Sequence, residues 1–280
     1  MHSLPDSTVY AIPRQVADVS ECYFYHTIEV PGYGLVEGEW DLRTGIGDYL
    51  GHVEFKGKRV LEFGTASGFV CFHMERQGAD VVAYDLSDEQ DWDVVPFARY
   101  GHAEFSKQRK EHIRKLNNAF WLCHKAFSSI SRMVYGDVYS VPDAIGPVDI
   151  STFCSILLHV RDPFLALQQG LRFTRETVIV TEPTRLLSPR AYVASLTKRV
   201  PDLSAAPSMK FLPDWRRIEP KETWWQLSPK LIQRFIGVLG FERSTVTYHF
   251  QKFRRGRRYL RLPQFTVVGH RTSTAPKVRS

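Results

Sequence analysis

From Lys58 onward the chain alternates short apolar runs with helix-forming stretches, and that rhythm restricts the fold more than any other feature of its 280 residues. Arg59-Val60-Leu61-Glu62-Phe63-Gly64 is a strand-like run ending in glycine, followed by a helix from Phe69 to Gln77 that Gly78 closes and a second strand from Asp80 to Asp85. Between Lys107 and Phe127 the residues Ile113, Leu116, Phe120, Cys123 and Phe127 recur at helical spacing. Arg109, Lys110, Arg114 and Lys125 fall mostly elsewhere, so one long amphipathic helix is predicted. Further strands are predicted over Arg132 to Tyr135, Val148 to Cys154 and Thr177 to Thr181, with Asp162 to Phe173 as the intervening helix. Parallel neighbours need crossover helices, so this order implies an α/β fold with a doubly wound, mostly parallel sheet covered on both faces. Ser228 to Leu239 reads as a last helix capped by Gly240. Phe241 to Tyr248 and Gln264 to Val268 follow without a helix between them, which predicts a closing antiparallel hairpin.

The regular pattern defines a core over residues 51–183, completed by 223–270. Residues 1–50 carry Tyr23, Phe24, Tyr25, Tyr33 and Trp40, too aromatic for a loose tail, and read as an N-terminal cap. Residues 184–222, with several prolines and Trp215, read as an insertion or lid, and 271–280, small, polar and basic, as a disordered tail. A hydrophobic content of 43% is enough for a sizeable core and excludes intrinsic disorder. With 37 Lys and Arg against 30 Asp and Glu the net charge is +7, a modest preference for anionic partners rather than a dedicated nucleic-acid tail. Cys22, Cys71, Cys123 and Cys154 are widely spaced with no CxxC pair, which argues against a disulfide framework and against a metal site. No run of about 18 apolar residues occurs, and the first residues lack the basic-then-apolar order of a signal peptide; the expected setting is cytoplasmic, with no membrane partner.

The stretch from Val60 to Phe69 ends a strand in small residues and begins a helix at once, so the backbone can pass close to a ligand and offer free N–H groups to it. A tight turn with no ligand satisfies the same pattern, and its neighbours decide. Asp85 ends the next strand, where a carboxylate can accept from both hydroxyls of a ribose. Asp137 closes the third strand and can accept from an adenine amino group while the Val138 N–H donates to the ring. Either acid alone is explained as a solvated strand end; the ordered set of turn, Asp85 and Asp137 points to a nucleoside site. Dinucleotide-binding turns favour G-x-G-x-x-G, whereas Glu62 to Gly68 reads acid-x-Gly-x-Ala-x-Gly.

In that turn, and most strongly in Gly57-Lys58-Arg59-Val60-Leu61-Glu62-Phe63-Gly64, the chain resembles the class I S-adenosylmethionine-dependent methyltransferases over roughly residues 20 to 270, with Ala66 in place of the usual middle glycine. The resemblance implies a Rossmann-like, seven-stranded sheet and S-adenosyl-L-methionine as cofactor. It assigns Glu62, Gly64, Thr65, Ala66 and Gly68 to the methionine portion, Asp85 with Leu86 to the ribose, Asp137 and Val138 to the adenine, and Cys154 and Ser155 to the cofactor's flank. Tyr25-His26-Thr27-Ile28-Glu29-Val30, Trp40-Asp41-Leu42-Arg43 and Leu157-Leu158-His159-Val160-Arg161-Asp162-Pro163 further resemble the branch related to tRNA wobble-uridine carboxymethyltransferases. In those enzymes a tyrosine helps hold the extra carboxylate of carboxy-S-adenosylmethionine. Leu158 stands there and cannot hydrogen-bond, so methyl transfer from ordinary S-adenosylmethionine is expected.

In-line methyl transfer needs the acceptor lone pair held behind the methyl group, and a hydroxyl acceptor also needs a base. His159, just past the fourth strand, is the first candidate and His26 the second, each with a packing role as the alternative. Tyr25, Trp40, Arg43, Trp224 and Trp225 are candidate acceptor contacts, the tryptophans as an aromatic wall. These readings favour O-methylation of a small or medium-sized molecule, with nitrogen and carbon acceptors left open. An RNA acceptor is the rival, on the strength of Lys252, Arg254, Arg255, Arg257, Arg258 and Arg261, six basic residues that otherwise form a solvated hairpin connection. A nucleoside-binding protein without catalysis is the third reading.

Overall fold

The computed structural model describes residues 9–184 and 206–273. Residues 185–205 of the expected lid, 274–280 of the expected tail and the first eight residues lie outside it.

The N-terminal part forms a small hairpin, β1 (Ile28–Val30) and β2 (Gly34–Val36), then a two-residue strand β3 (Trp40–Asp41) and a short helix α1 (Ile46–Tyr49). The alternating core follows as β4 (Arg59–Phe63), α2 (Phe69–Arg76), β5 (Asp80–Asp85), α3 (His102–Ala126), β6 (Arg132–Tyr135), β7 (Val148–Cys154), α4 (Pro163–Leu171) and β8 (Thr174–Pro183). A second small pair, β9 (Met209–Phe211) and β10 (Trp225–Leu227), precedes α5 (Pro229–Val238) and the closing strands β11 (Arg243–Arg255) and β12 (Arg258–His270).

One sheet runs β3-β11-β12-β8-β7-β4-β5-β6, with β8, β7, β4, β5 and β6 mutually parallel and β12 antiparallel to both β8 and β11. This is the expected doubly wound sheet with its closing hairpin. An eighth strand, β3, is added at the edge by pairing Asp41 and Trp40 with Lys252 and Phe253. Alternation along each strand sends successive side chains to opposite faces. Val60, Val81, Ala83 and Ile150 meet Phe69, Phe72 and the α3 residues Ala119 to Cys123 on one side; Leu61, Phe63, Val82 and Phe153 meet Leu167, Ile232 and Phe241 on the other. Both crossover helices on this second face begin at a capped proline turn. The Asp162 side chain accepts from Leu165 N ahead of Pro163, and the Ser228 side chain from Leu231 N ahead of Pro229.

The hairpin is longer than its hydrophobic pattern predicts. Pairing continues residue by residue to Arg255 opposite Arg258, so only Gly256 and Arg257 form the turn. Of the six basic residues only Arg257 lies in the connection. Lys252, Arg254 and Arg255 belong to β11, Arg258 and Arg261 to β12, and Lys252 faces Arg261 across the ladder. Because β8 pairs with β12 only from Gln264 to His270, the stretch from Arg258 to Pro263 runs on beyond β8.

Candidate active site

A cavity of about 1050 Å³ opens where β4, β5, β6 and β7 end at their carboxyl tips. Its floor is the glycine turn. Gly64, Ala66 and Gly68 all take positive φ, at 75°, 50° and 87°. Glycine is required at Gly68 by packing as well, since a Cβ there would lie 2.4 Å from the Phe72 ring. Ala66 carries its Cβ in the left-handed region, which costs roughly 1–2 kcal/mol. That strained backbone aims the Ala66 N–H at Asp85 Oδ2 (2.8 Å), while Leu86 N–H donates to Oδ1 at 2.8 Å. Each oxygen keeps a second lone pair for a ligand hydroxyl. Burial pushes the Asp85 carboxyl upward, and the two backbone N–H groups offset part of that rise.

Asp137 is held by the Tyr139 N–H on Oδ1 (2.8 Å), and its own carbonyl accepts from the Tyr84 hydroxyl at 2.8 Å. Glu62 lies under the turn, 1% exposed, accepting from the Thr65 hydroxyl at 2.7 Å, and burial raises its carboxyl to about 8. Ser155, at φ 55°, and Cys154 close the fourth side, with the Tyr49 hydroxyl 3.4 Å from Ser155 Oγ.

The N-terminal segment is fastened to this floor. Ser67 Oγ accepts from Tyr25 N (3.2 Å) and His26 N (3.4 Å), which brings both side chains into the cavity wall. His26 is buried with Nδ1 unpartnered, and desolvation alone lowers it to about 3, so it is neutral at physiological pH. His159 is different: half-buried on the cavity wall, it bonds through Nδ1 to the Glu222 carbonyl. A carbonyl only accepts, so Nδ1 carries the proton and Nε2 is left as the basic nitrogen. Burial shifts His159 downward, with the Glu222 carbonyl opposing. The loop that presents it is fixed by the buried Glu182 carboxyl group, which accepts from Leu157 N at 2.8 Å, and by Trp224 N, which donates to the Leu158 carbonyl at 2.8 Å.

Of the residues expected from sequence, the cavity brings together Tyr25, His26, Glu62, Gly64, Ala66, Asp85, Leu86, Asp137, Val138, Cys154, Ser155 and His159. Thr65 and Gly68 stand one layer behind, shaping the turn. Trp40 packs on Phe253 and borders a small adjoining void, and Arg43 pairs with Asp41 at 2.8 Å away from the cavity. Trp224 and Trp225 buttress the wall from outside. Trp224 Nε1 donates to the Asp93 carbonyl (2.6 Å) and Trp225 Nε1 to the Arg161 carbonyl (3.1 Å).

Sequence reasoning missed Tyr23, Glu39, Trp92, Arg109, His112 and Glu222, which form the far end of the cavity. A signal existed for part of this set: Arg109, His112, Ile113 and Leu116 share one stripe of α3, and Arg109 faces the cavity with them rather than the solvent. Among the described residues no group of His, Cys, Asp and Glu is placed to hold a metal ion, and no helix is long and apolar enough to cross a membrane.

A family profile described as "Methyltransferase domain" matches residues 41–230. No curated protein matches the chain. Among solved structures, the N-terminal domain of EvdMO1 with SAH bound is similar at 16% identity over 91% of this chain and 93% of that one, with a TM-score of 0.51. Magnesium protoporphyrin IX methyltransferase (ChlM) from Synechocystis PCC 6803 with bound SAH follows at 12% identity, 78% and 76% coverage and a TM-score of 0.43. A putative RNA methyltransferase, PH1948 from Pyrococcus horikoshii, stands at 11% identity, 81% and 80% coverage and 0.42. The first of these shares the fold.

Proposed function

The chain belongs to the methyltransferase domain family, and from that premise we propose that it moves a methyl group from S-adenosylmethionine to an oxygen atom of a small or medium-sized molecule. The observation that carries the reading is the meeting, in one cavity, of an Asp85 carboxylate aligned by two backbone N–H groups with a His159 whose tautomer is set by the Glu222 carbonyl.

The residues present fit the cofactor. Asp85 keeps acceptor lone pairs for a ribose, Asp137 and Val138 border the place of a base, and the buried, unpartnered Nδ1 of His26 stands where a polar ligand group can satisfy it. When bound, S-adenosylmethionine supplies an electrophilic methyl group on a sulfonium. His159 Nε2 takes the proton of the acceptor hydroxyl as its oxygen attacks, and the Glu222 carbonyl stabilises the imidazolium that results. Tyr25 and His26, tied down by Ser67, keep water from the reacting atoms. A volume at the upper end of the usual range for small-molecule sites, roughly 300–1000 Å³, leaves room for an acceptor beside the cofactor.

The overhanging basic end of the β11–β12 hairpin favours a second reading, methylation of an RNA such as tRNA, in keeping with the likeness to the wobble-uridine branch. Incubation with methyl-labelled cofactor and separate metabolite and tRNA fractions discriminates. Label in the metabolite fraction supports the first reading, label in tRNA the second, and cofactor binding with no label anywhere leaves a nucleoside-binding protein without turnover.

A further inference from the structure

The far end of the cavity has a chemistry of its own. Apart from Glu222, its carboxylates are already satisfied by the protein. Glu39 accepts from the Tyr23 hydroxyl; Asp93 accepts from the Tyr139 hydroxyl (2.5 Å) and Arg161 N (2.6 Å); Asp91 accepts from the Ser106 hydroxyl (2.5 Å) and pairs with Lys110 at 3.2 Å. Arg109 is the exception. Its Nη1 reaches Glu222 Oε2 only at 3.4 Å, its Nε–H is buried without a partner, and its side chain is 23% exposed. A guanidinium offers five donors in a planar fork; with Nε closed off and the Nη groups holding only the long Glu222 contact, the edge that lines the cavity has donors left for one more acceptor, an anion above all.

Ring systems surround that donor. Trp92 has the Arg109 guanidinium carbon 6.0 Å from its centroid and the His159 ring 5.9 Å away edge-on, and His112 lies 4.5 Å from Tyr23. Desolvation lowers His112 to about 4, so it adds an uncharged ring rather than a second cation. The group suited to take a hydroxyl proton and the group with spare donors thus flank one indole, the span of a flat ring bearing substituents at both ends.

Resting on the methyl-transfer reading, we infer that the acceptor is an aromatic hydroxy acid, whose carboxylate is bound by Arg109 and whose hydroxyl is presented to His159, between the rings of Trp92, Tyr23 and His112. The hydroxyl oxygen forms the new bond to the methyl carbon, the sulfur–methyl bond breaks with its electron pair returning to sulfur, and the proton goes to His159 Nε2.

Calorimetry on the full chain tests this with 4-hydroxybenzoate, 3-hydroxybenzoate and 1-hydroxy-2-naphthoate, each against its own carboxamide, with and without S-adenosylhomocysteine. At least one acid is expected to bind ten-fold or more tightly than its amide. Arg109→Met abolishes the preference and Arg109→Lys recovers part of it, with S-adenosylhomocysteine affinity unchanged in both. No acid preferred over its amide overturns the inference, whatever the variants do. An acid preference without any S-adenosylhomocysteine binding sustains this site and overturns the methyl-transfer reading instead.

Discussion

The two ends of the cavity are built on different principles. The end at the strand tips hangs on backbone: Gly64, Ala66 and Leu86 hold their places because parallel strands in fixed register end side by side, and Asp85 is aimed by main-chain N–H groups. The end under α3 is made of side chains from separate parts of the chain, Tyr23, Trp92, Arg109 and Glu222. A backbone site tolerates change in side chains and serves one invariant ligand; a side-chain site is open to revision one residue at a time. The fold therefore fixes the donor and leaves the acceptor free to vary.

If the ends are separable, substitutions at each must read out separately. The largest expected effect is at His159. His159→Ala lowers kcat by about 10²–10⁴ with the dissociation constant for S-adenosylhomocysteine unchanged, and a matching loss of cofactor affinity would break the division. In the parent enzyme the acid limb of kcat/KM falls below the ordinary histidine midpoint of about 6.5, because burial disfavours the imidazolium, and the variant loses that limb.

Asp85→Ala addresses the other end. Losing two charge-assisted hydrogen bonds to a ribose weakens S-adenosylhomocysteine binding by about 10²-fold in calorimetry, while the acid-over-amide preference at Arg109 persists. Stability has a direction in pH as well. Glu62 and Glu182 are both raised to about 8 by burial, so the folded chain holds protons that the unfolded chain has released above about 4.5. Stability accordingly falls as pH rises between those values. The thermal midpoint drops from pH 5.5 to 8.5 in the parent and drops less in Glu182→Gln. The smallest effect is Ala66→Gly, which relieves the left-handed strain at φ 50° and stabilises the chain by at most about 1 kcal/mol in denaturant melts.

Legibility in the sequence followed the same division. The turn, Asp85 and Asp137 announce themselves because a glycine pattern and strand-end acids are local signals set by main-chain geometry. The alternation of β4 to β8 is equally local. Charge alone puts Arg109 on the polar side of its helix and does not reveal that its stripe is shared with Ile113 and Leu116. Trp92 and Tyr23 sit in segments without periodicity, and only tertiary packing brings them together. The hairpin's full length is hidden for a related reason: cross-strand pairs such as Lys252 with Arg261 carry no apolar alternation, so a strand that extends past the core reads as a loop. The tryptophan pair illustrates the converse, with Trp224 and Trp225 conspicuous in sequence yet spent on bracing the loops at Asp93 and Arg161.

That overhanging hairpin also bears on how the molecule meets its own copies. Among the described residues, the rim of β12 from Arg258 to Leu262 has no strand beside it on the β8 side, the kind of unfinished border on which chains stack into fibrils. Here a visiting copy would bring guanidinium groups against guanidinium groups, Pro263 has no N–H to extend the ladder, and its carbonyl is already taken by Thr184 N at 3.0 Å. Like charges crowded along this edge thus disfavour its pairing with a copy of itself.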